Sequence, residues 1–166
     1  MLERADLHRR LLTRAATDPL TGLAHRRVWD EQVPRALAAA VQGDQPLAIA
    51  LLDLDHFKLV NDRHGHQAGD RLLKAAASAW RDQIRSGDLL ARYGGEEFAV
   101  LLPGCSGQSA ARMAERLRAA TLAGATVSVG LAVWDPSESA EQLVARADRA
   151  LYDAKRQGRD RVNVAG

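Results

Sequence analysis

Two short stretches hold the side chains whose types and spacing could do chemistry. In RYGGEEF, Gly94 and Gly95 precede Glu96 and Glu97 inside a run that otherwise reads as strand. In LLDLDHFK, Asp53 and Asp55 stand two residues apart where an apolar run ends. Side chains alternate along a strand, so positions two apart share a face; Asp53 and Asp55 are expected together. Adjacent like charges are costly unless solvent or a cation offsets them. Glu96 and Glu97 can be a solvated hairpin tip, or, beside the aspartates, part of the oxygen-rich set that hard divalent cations take. Cys105 is the only cysteine, so a thiolate zinc cluster cannot be assembled and Mg²⁺ or Mn²⁺ is the fitting cation.

Mg²⁺ usually takes one or two carboxylates and completes its shell with water and phosphate oxygens, which makes a phosphate-bearing substrate the natural partner. The sequence has neither GxxxxGK followed by Ser or Thr nor GxGxxG, so the Walker and Rossmann cradles are excluded. Basic side chains must then hold the phosphates. Lys58 follows the aspartates, and Lys155 and Arg159, four apart, are expected on one face of the last helix. Singly, each reads equally as solvated surface. His64 and His66 in RHGHQ are given no metal role.

These groups need a scaffold. The 166 residues, 46% apolar and 27% charged with a net charge of +2, make an ordinary globular composition. The basic clusters HRRLLTR and KRQGRDR sit at the two ends without forming a stripe, so nucleic acid is not an expected partner. No apolar run is long enough to cross a bilayer, and MLERADLHRR is too charged for a secretory leader. A reducing, cytoplasmic location without membrane contact by this segment is expected.

Helical spacing of Leu7, Leu11, Leu12 and Ala15 predicts a helix over 1–16, the tail of a connection from an upstream regulatory domain; we divide the chain into 1–17 and 18–166. TDPLTG is a turn. A helix follows over about 26–41, then a strand over 46–52 buried on both faces. Leu72, Leu73, Ala76, Trp80 and Ile84 mark a helix over about 69–85. Strands near 89–93 and 97–102 flank Gly94 and Gly95, which are expected to form a hairpin turn using positive φ. Ser106 caps the next helix, residues 125–134 form an alternating strand, DPSE opens a last helix with Pro136 in its first turn, and RVNV closes as a strand. Trp29, Trp80 and Trp134 are read as packing residues. Helices between most strands, with one tight hairpin, give a mixed or antiparallel sheet with helices against it.

RYGGEEF resembles the signature of the GGDEF domain of diguanylate cyclases in its GGEEF form. DPLTGLAHRR, DLDHFKLVNDRHGHQAGDRLL, VSVGLA and ADRALYDAKRQGRDRV resemble that family's other blocks, in order, over roughly 18–164. The resemblance implies an α+β, ferredoxin-like, mostly antiparallel sheet surrounded by helices, as in nucleotide cyclases. It implies condensation of two GTP into cyclic di-GMP with release of two pyrophosphates, each domain holding one GTP, so that a homodimer is needed. By the same resemblance Asp53, Glu96 and the Leu54 carbonyl would ligate two Mg²⁺ or Mn²⁺ per GTP, with Glu97 close by. Glu96 is the usual acceptor for the hydroxyl proton; Lys58, Lys155 and Arg159 would contact phosphates, and Asn61 and Asp70 would read guanine. Arg85 and Asp88, in RSGD, match an inhibitory RxxD site for cyclic di-GMP, to which Arg116 adds a contact.

Two departures from the family pattern are His25, where Asn is usual, and Asp160, also in place of Asn. His25 is expected to loosen the loop beside the nucleotide, and Asp160 to set a negative charge beside Arg159. An alternative is a catalytically silent module that binds cyclic di-GMP or GTP as a receptor.

Overall fold

The computed structural model describes residues 2–121 and 124–166. Six strands form one sheet in the order β1-β3-β4-β2-β5-β6. They are β1 (Ala24–His25), β2 (Leu47–Leu54), β3 (Leu89–Arg92), β4 (Glu97–Pro103), β5 (Val127–Val133) and β6 (Val162–Val164). The three central pairings, β3 with β4, β4 with β2 and β2 with β5, are antiparallel, and the outer two, β1 with β3 and β5 with β6, are parallel. The helices are α1 (Leu2–Ala16), α2 (Arg26–Gly43), α3 (Phe57–His64), α4 (His66–Arg81), α5 (Gly107–Ala120) and α6 (Ala140–Arg156).

The strand alternation of β2 divides the core into two layers. Ala48, Ala50, Leu52 and Leu54 face Leu73, Ala76 and Trp80 of α4 and Met113 and Leu117 of α5. Leu47, Ile49 and Leu51 face Trp29 and Val33 of α2 and Leu143, Ala147 and Leu151 of α6. Every residue of β2 is buried, which is why it reads as an unbroken apolar run. The parity fixes the direction of the acid that follows: Asp53 continues the series of Leu47, Ile49 and Leu51 and therefore lies on the α6 side. Trp29, Trp80 and Trp134 are all core residues.

Close packing of α6 on β5 depends on Gly130. A Cβ there would lie 2.1 Å from the Ala147 carbonyl oxygen and 2.3 Å from the Leu151 nitrogen, both backbone atoms that cannot step aside singly. Overpacking of this kind typically costs 1–3 kcal/mol, and here a whole helix must shift. Gly130→Ala should therefore lose about 3 kcal/mol or more of stability, read from the urea unfolding midpoint; a midpoint equal to that of the unaltered protein would refute the close-approach argument.

Several elements differ from the sequence expectation. The helix expected over 69–85 runs from His66 to Arg81 and is preceded by the short α3, with Gly65 between the two at φ 87°. The last helix starts at Ala140, not in the DPSE turn: Ser139 caps the Gln142 N–H and the Gln142 side chain returns the bond to Ser139, a capping box stronger than the Pro136 signal. Arg159 lies beyond the end of α6 with φ 65°, so it does not share a helix face with Lys155. No helix among the described residues is long and apolar enough to cross a membrane.

Candidate active site

β2 delivers Asp53 to the end of the central strand with only 5% of its surface exposed. Its register partner on β4 is Glu97, and the Leu54 N–H donates to the Glu96 carbonyl at 3.3 Å. The central strand and the hairpin therefore place Asp53, Glu96 and Glu97 in one neighbourhood. Lys155 crosses from α6 and donates from Nζ to Asp53 Oδ2 at 2.7 Å. Burial pushes the Asp53 carboxyl above its ordinary range, against the hydrogen bond and charge of Lys155. Burial also raises Glu96, with the Asp53 charge adding to it. A buried acid beside a half-buried one whose ionisation it disfavours, partly relieved by an ammonium group, is suited to a cation.

Among the described residues no three His, Cys, Asp or Glu side chains converge as a closed metal cage. That does not conflict with a Mg²⁺-type ion, for which one or two carboxylates suffice when water and phosphate oxygens complete the shell. Asp55 lies on the side of Asp53, as the alternation predicts: its N–H continues the ladder to the Thr126 carbonyl, its carboxylate accepts from Ser128 Oγ at 2.6 Å, Ser128 being the register partner of Asp53, and its charge adds to the upward shift of Asp53. It also accepts from Thr126 Oγ1 at 2.7 Å and the Asp160 N–H at 3.0 Å. With these three donors it braces the loop after α6.

Gly94 and Gly95 do form the turn, but neither adopts the left-handed backbone that was expected of them. Their role is space. A Cβ at Gly94 would come 3.0 Å from Glu97 Oε2, while Gly95 has nothing within 4 Å of the same position and faces an open volume. The hairpin is closed by the N–H groups of Tyr93 and Gly94, which both donate to the Glu97 carbonyl.

On the other layer, α3 and α4 bring Asn61 against Gly69, the residue before Asp70. Asn61 Oδ1 is buried without a hydrogen-bond partner, and a Cβ at Gly69 would fall 1.9 Å from that oxygen. Gly69 thus leaves room for the Asn61 amide, and Asp70, next along α4, is exposed. Lys58 is exposed on the first turn of α3. Arg159 is exposed, and its charge reaches Asp53 strongly enough to oppose the upward shift there.

Arg85 and Asp88 meet as a forked ion pair, Arg85 Nη2 to Asp88 Oδ1 at 2.9 Å and Nε to Oδ2 at 3.2 Å. Arg85 Nη2 also donates to the Pro103 carbonyl at 3.1 Å and lies 3.0 Å from Cys105 Sγ. Together with Ser109, Arg112 and Arg116, Arg85 and Cys105 line an open cleft of about 380 Å³. Arg112, missed in the sequence, lies one helical turn before Arg116, which is the signal that could have found it. Arg116 itself donates to the Gln83 carbonyl. The two departures have partners of their own. Asp160, next to Arg159 in the chain, pairs with Arg118 at 2.8 Å. His25 tightens its loop, since Nδ1 accepts from the Arg27 N–H at 3.1 Å, capping α2, and Nε2 reaches the Ala15 carbonyl.

A mixed six-stranded sheet between helical layers, with an acid at the end of its central strand and a Gly-Gly-Glu-Glu hairpin beside it, defines the class of α+β domain. The chain belongs to the family described as "Diguanylate cyclase, GGDEF domain", whose model matches residues 15–161. It is 44% identical over 162 residues to diguanylate cyclase DgcP of Pseudomonas aeruginosa, an alignment covering 92% of this chain and 24% of that protein. With diguanylate cyclase DosC of Escherichia coli K12 the identity is 37%, over 89% of this chain and 34% of that protein. The chain thus spans a quarter to a third of these relatives' length. The coiled coil and GGDEF domain of DgcB from Caulobacter crescentus, solved in complex with c-di-GMP, superimposes with a TM-score of 0.93 at 37% identity, covering 99% of this chain and 93% of that one.

Proposed function

We propose that this domain is a diguanylate cyclase that condenses two GTP into cyclic di-GMP, each domain of a homodimer contributing one GTP. The observation that carries the reading is the convergence of Asp53, Glu96 and Lys155 at the mouth of the sheet, with the unpartnered Asn61 Oδ1 on α3 and the exposed Asp70 on α4. The donor set fits a divalent cation, Mg²⁺ or Mn²⁺ with two per GTP, held by Asp53, Glu96 and the Leu54 carbonyl. Such a cation, when bound, supplies charge neutralisation at phosphorus and lowers the pKa of the attacking hydroxyl.

The chain's own residues do the remaining work. Lys155 moves from Asp53 to the phosphates as they arrive, joined by Lys58 and Arg159, because an ammonium group held by one carboxylate exchanges readily for a more highly charged partner. Asn61 and Asp70 orient the base. Glu96 or Glu97 accepts the 3′-hydroxyl proton. Release of product to the cleft of Arg85, Arg112 and Arg116, with Asp88 holding Arg85 from beneath, gives feedback inhibition, since a cyclic diphosphate brings two anions to a group of three arginines.

The test is GTP turnover with Mg²⁺ over a range of protein concentrations, with products identified by mass spectrometry. Cyclic di-GMP should form at a rate rising faster than linearly in protein. Arg85→Ala should weaken product inhibition at least tenfold and leave the initial rate within twofold. Cyclic di-GMP bound by calorimetry without turnover at any concentration would replace the cyclase reading by a receptor. Unchanged inhibition in Arg85→Ala would remove the cleft from it.

A further inference from the structure

Arg92 closes β3 immediately before the signature turn, and none of the roles above uses it. Its guanidinium is shared between two segments far apart in sequence. Nη1 donates to both carboxylate oxygens of Asp18 at 3.0 and 3.1 Å. On the other side Nη2 donates to the Gly95 carbonyl at 2.8 Å, and Nε to the Gly94 and Gly95 carbonyls at 3.3 Å each. Both side chains are largely shielded, with 19% of Arg92 and 14% of Asp18 exposed.

The Asp18 end of this connection is rigid. Its carboxylate also accepts from the Thr21 N–H and hydroxyl, each at 2.8 Å, and the Asp18 carbonyl accepts from Gly22. Burial would raise the Asp18 carboxyl, but the bonds from Thr21 and Arg92 outweigh it and hold it below the ordinary range. This loop follows α1 directly, and the end of α1 is fastened at its Ala15 carbonyl by His25 and Arg27. β1, which carries His25, lies parallel to β3 with His25 opposite Arg92.

The turn end is weak by itself. Two consecutive glycines restrain their own backbone least of any pair, and the hairpin's closing bonds all go to one acceptor, the Glu97 carbonyl. The carbonyls of Gly94 and Gly95 lie outside that ladder and receive their donors from Arg92. We infer that Arg92 is a positioning residue: by tying Asp18 to the carbonyls of Gly94 and Gly95 it sets the conformation of the turn that carries Glu96, and it joins that turn to the loop after α1. A planar fork with five N–H groups can serve both sides at once, which an ammonium group cannot. The inference rests on the cyclase reading, in which the position of Glu96 matters.

The test compares Arg92→Gln, Arg92→Lys, Asp18→Asn and Glu96→Gln with the unaltered chain, by GTP kinetics with Mg²⁺, amide hydrogen exchange and thermal unfolding. In Arg92→Gln the amides of residues 93–97 should exchange about tenfold faster while those of β2 and the rest of β4 keep their protection. The kcat should fall 10- to 100-fold, the loss typical of a misplacement near 1 Å, with KM for GTP within threefold. Arg92→Lys should recover thermal stability but not kcat, and Asp18→Asn should show the same pattern in smaller degree. Turn amides that exchange as before would overturn the inference, as would a kcat loss that tracks a loss of protection throughout the sheet. If the turn loosens and kcat is unmoved, Glu96→Gln decides which idea has failed: retained turnover there sinks the site reading, and abolished turnover sinks the positioning role alone.

Discussion

Asp53→Asn and Glu96→Gln should each lower GTP turnover by at least about 10³-fold, some 4 kcal/mol of barrier, while the protein stays folded. Both replacements keep shape and remove charge. Asp53 lies at the end of a fully buried strand, where its carboxylate meets Lys155 and the charge of Glu96, so no solvent-screened alternative can take its place. The stability side of the prediction has a definite sign. A carboxyl whose folded pKa is raised binds its proton more tightly folded than unfolded, so its contribution is present at low pH and is lost as pH rises from 3.8 through the raised value. At neutral pH in the absence of divalent ions, Asp53→Asn should therefore leave the melting temperature unchanged or slightly higher, and millimolar Mg²⁺ should stabilise the unaltered protein but not the variant. Turnover within tenfold of the original in both variants would remove the acid pair from the reaction.

How far the sequence revealed this site depends on the range of the physics involved. The acid of β2 was legible because a continuous apolar run ending in Asp-Leu-Asp has one reading in a parity-2 element, and the parity places Asp53 on the α6 side, where Lys155 arrives. Parity also placed Asp55 rightly on the side of Asp53, but the donors that occupy its carboxylate, Thr126, Ser128 and the Asp160 N–H, come from far along the chain and left no local pattern. The glycines of the turn were found for a reason that does not hold: their backbone is not left-handed, and their need is clearance for Glu97 and for whatever enters beside Gly95. Arg92 and Asp18 were invisible as a pair, since 74 residues separate them and neither has a local pattern. His25 read as a loosening because its residue type departs from the usual one, whereas its ring supplies both a helix cap and a tether to α1. Local periodicity carries the elements, then, and long-range hydrogen bonds carry the site.

Base selectivity gives the second large effect. A buried amide oxygen without a partner costs about 1–3 kcal/mol, and Asn61 can hold that place only because Gly69 has no side chain, whose Cβ would press against the oxygen at 1.9 Å. A fold that holds a polar group unsatisfied on α3 and an exposed carboxylate at position 70 on α4 is prepared for a ligand with donors on one edge. Guanine offers N1–H and N2–H to such a carboxylate; adenine offers no donor pair there. Each hydrogen bond to a charged group is worth about 1.5–3 kcal/mol, so two of them at Asp70 amount to roughly 10³-fold in kcat/KM. Asp70→Ala should lose about that factor with GTP and leave the residual rate with ATP unchanged, collapsing the preference by the same amount. Asn61→Ala should lose less, about tenfold, and should not destabilise the fold, because it removes an atom that is unsatisfied in the free protein. Competition kinetics with the two nucleotides measure both. A preference for GTP that survives Asp70→Ala intact would mean that the base is read elsewhere on the surface, and the cradle between α3 and α4 would need another occupant.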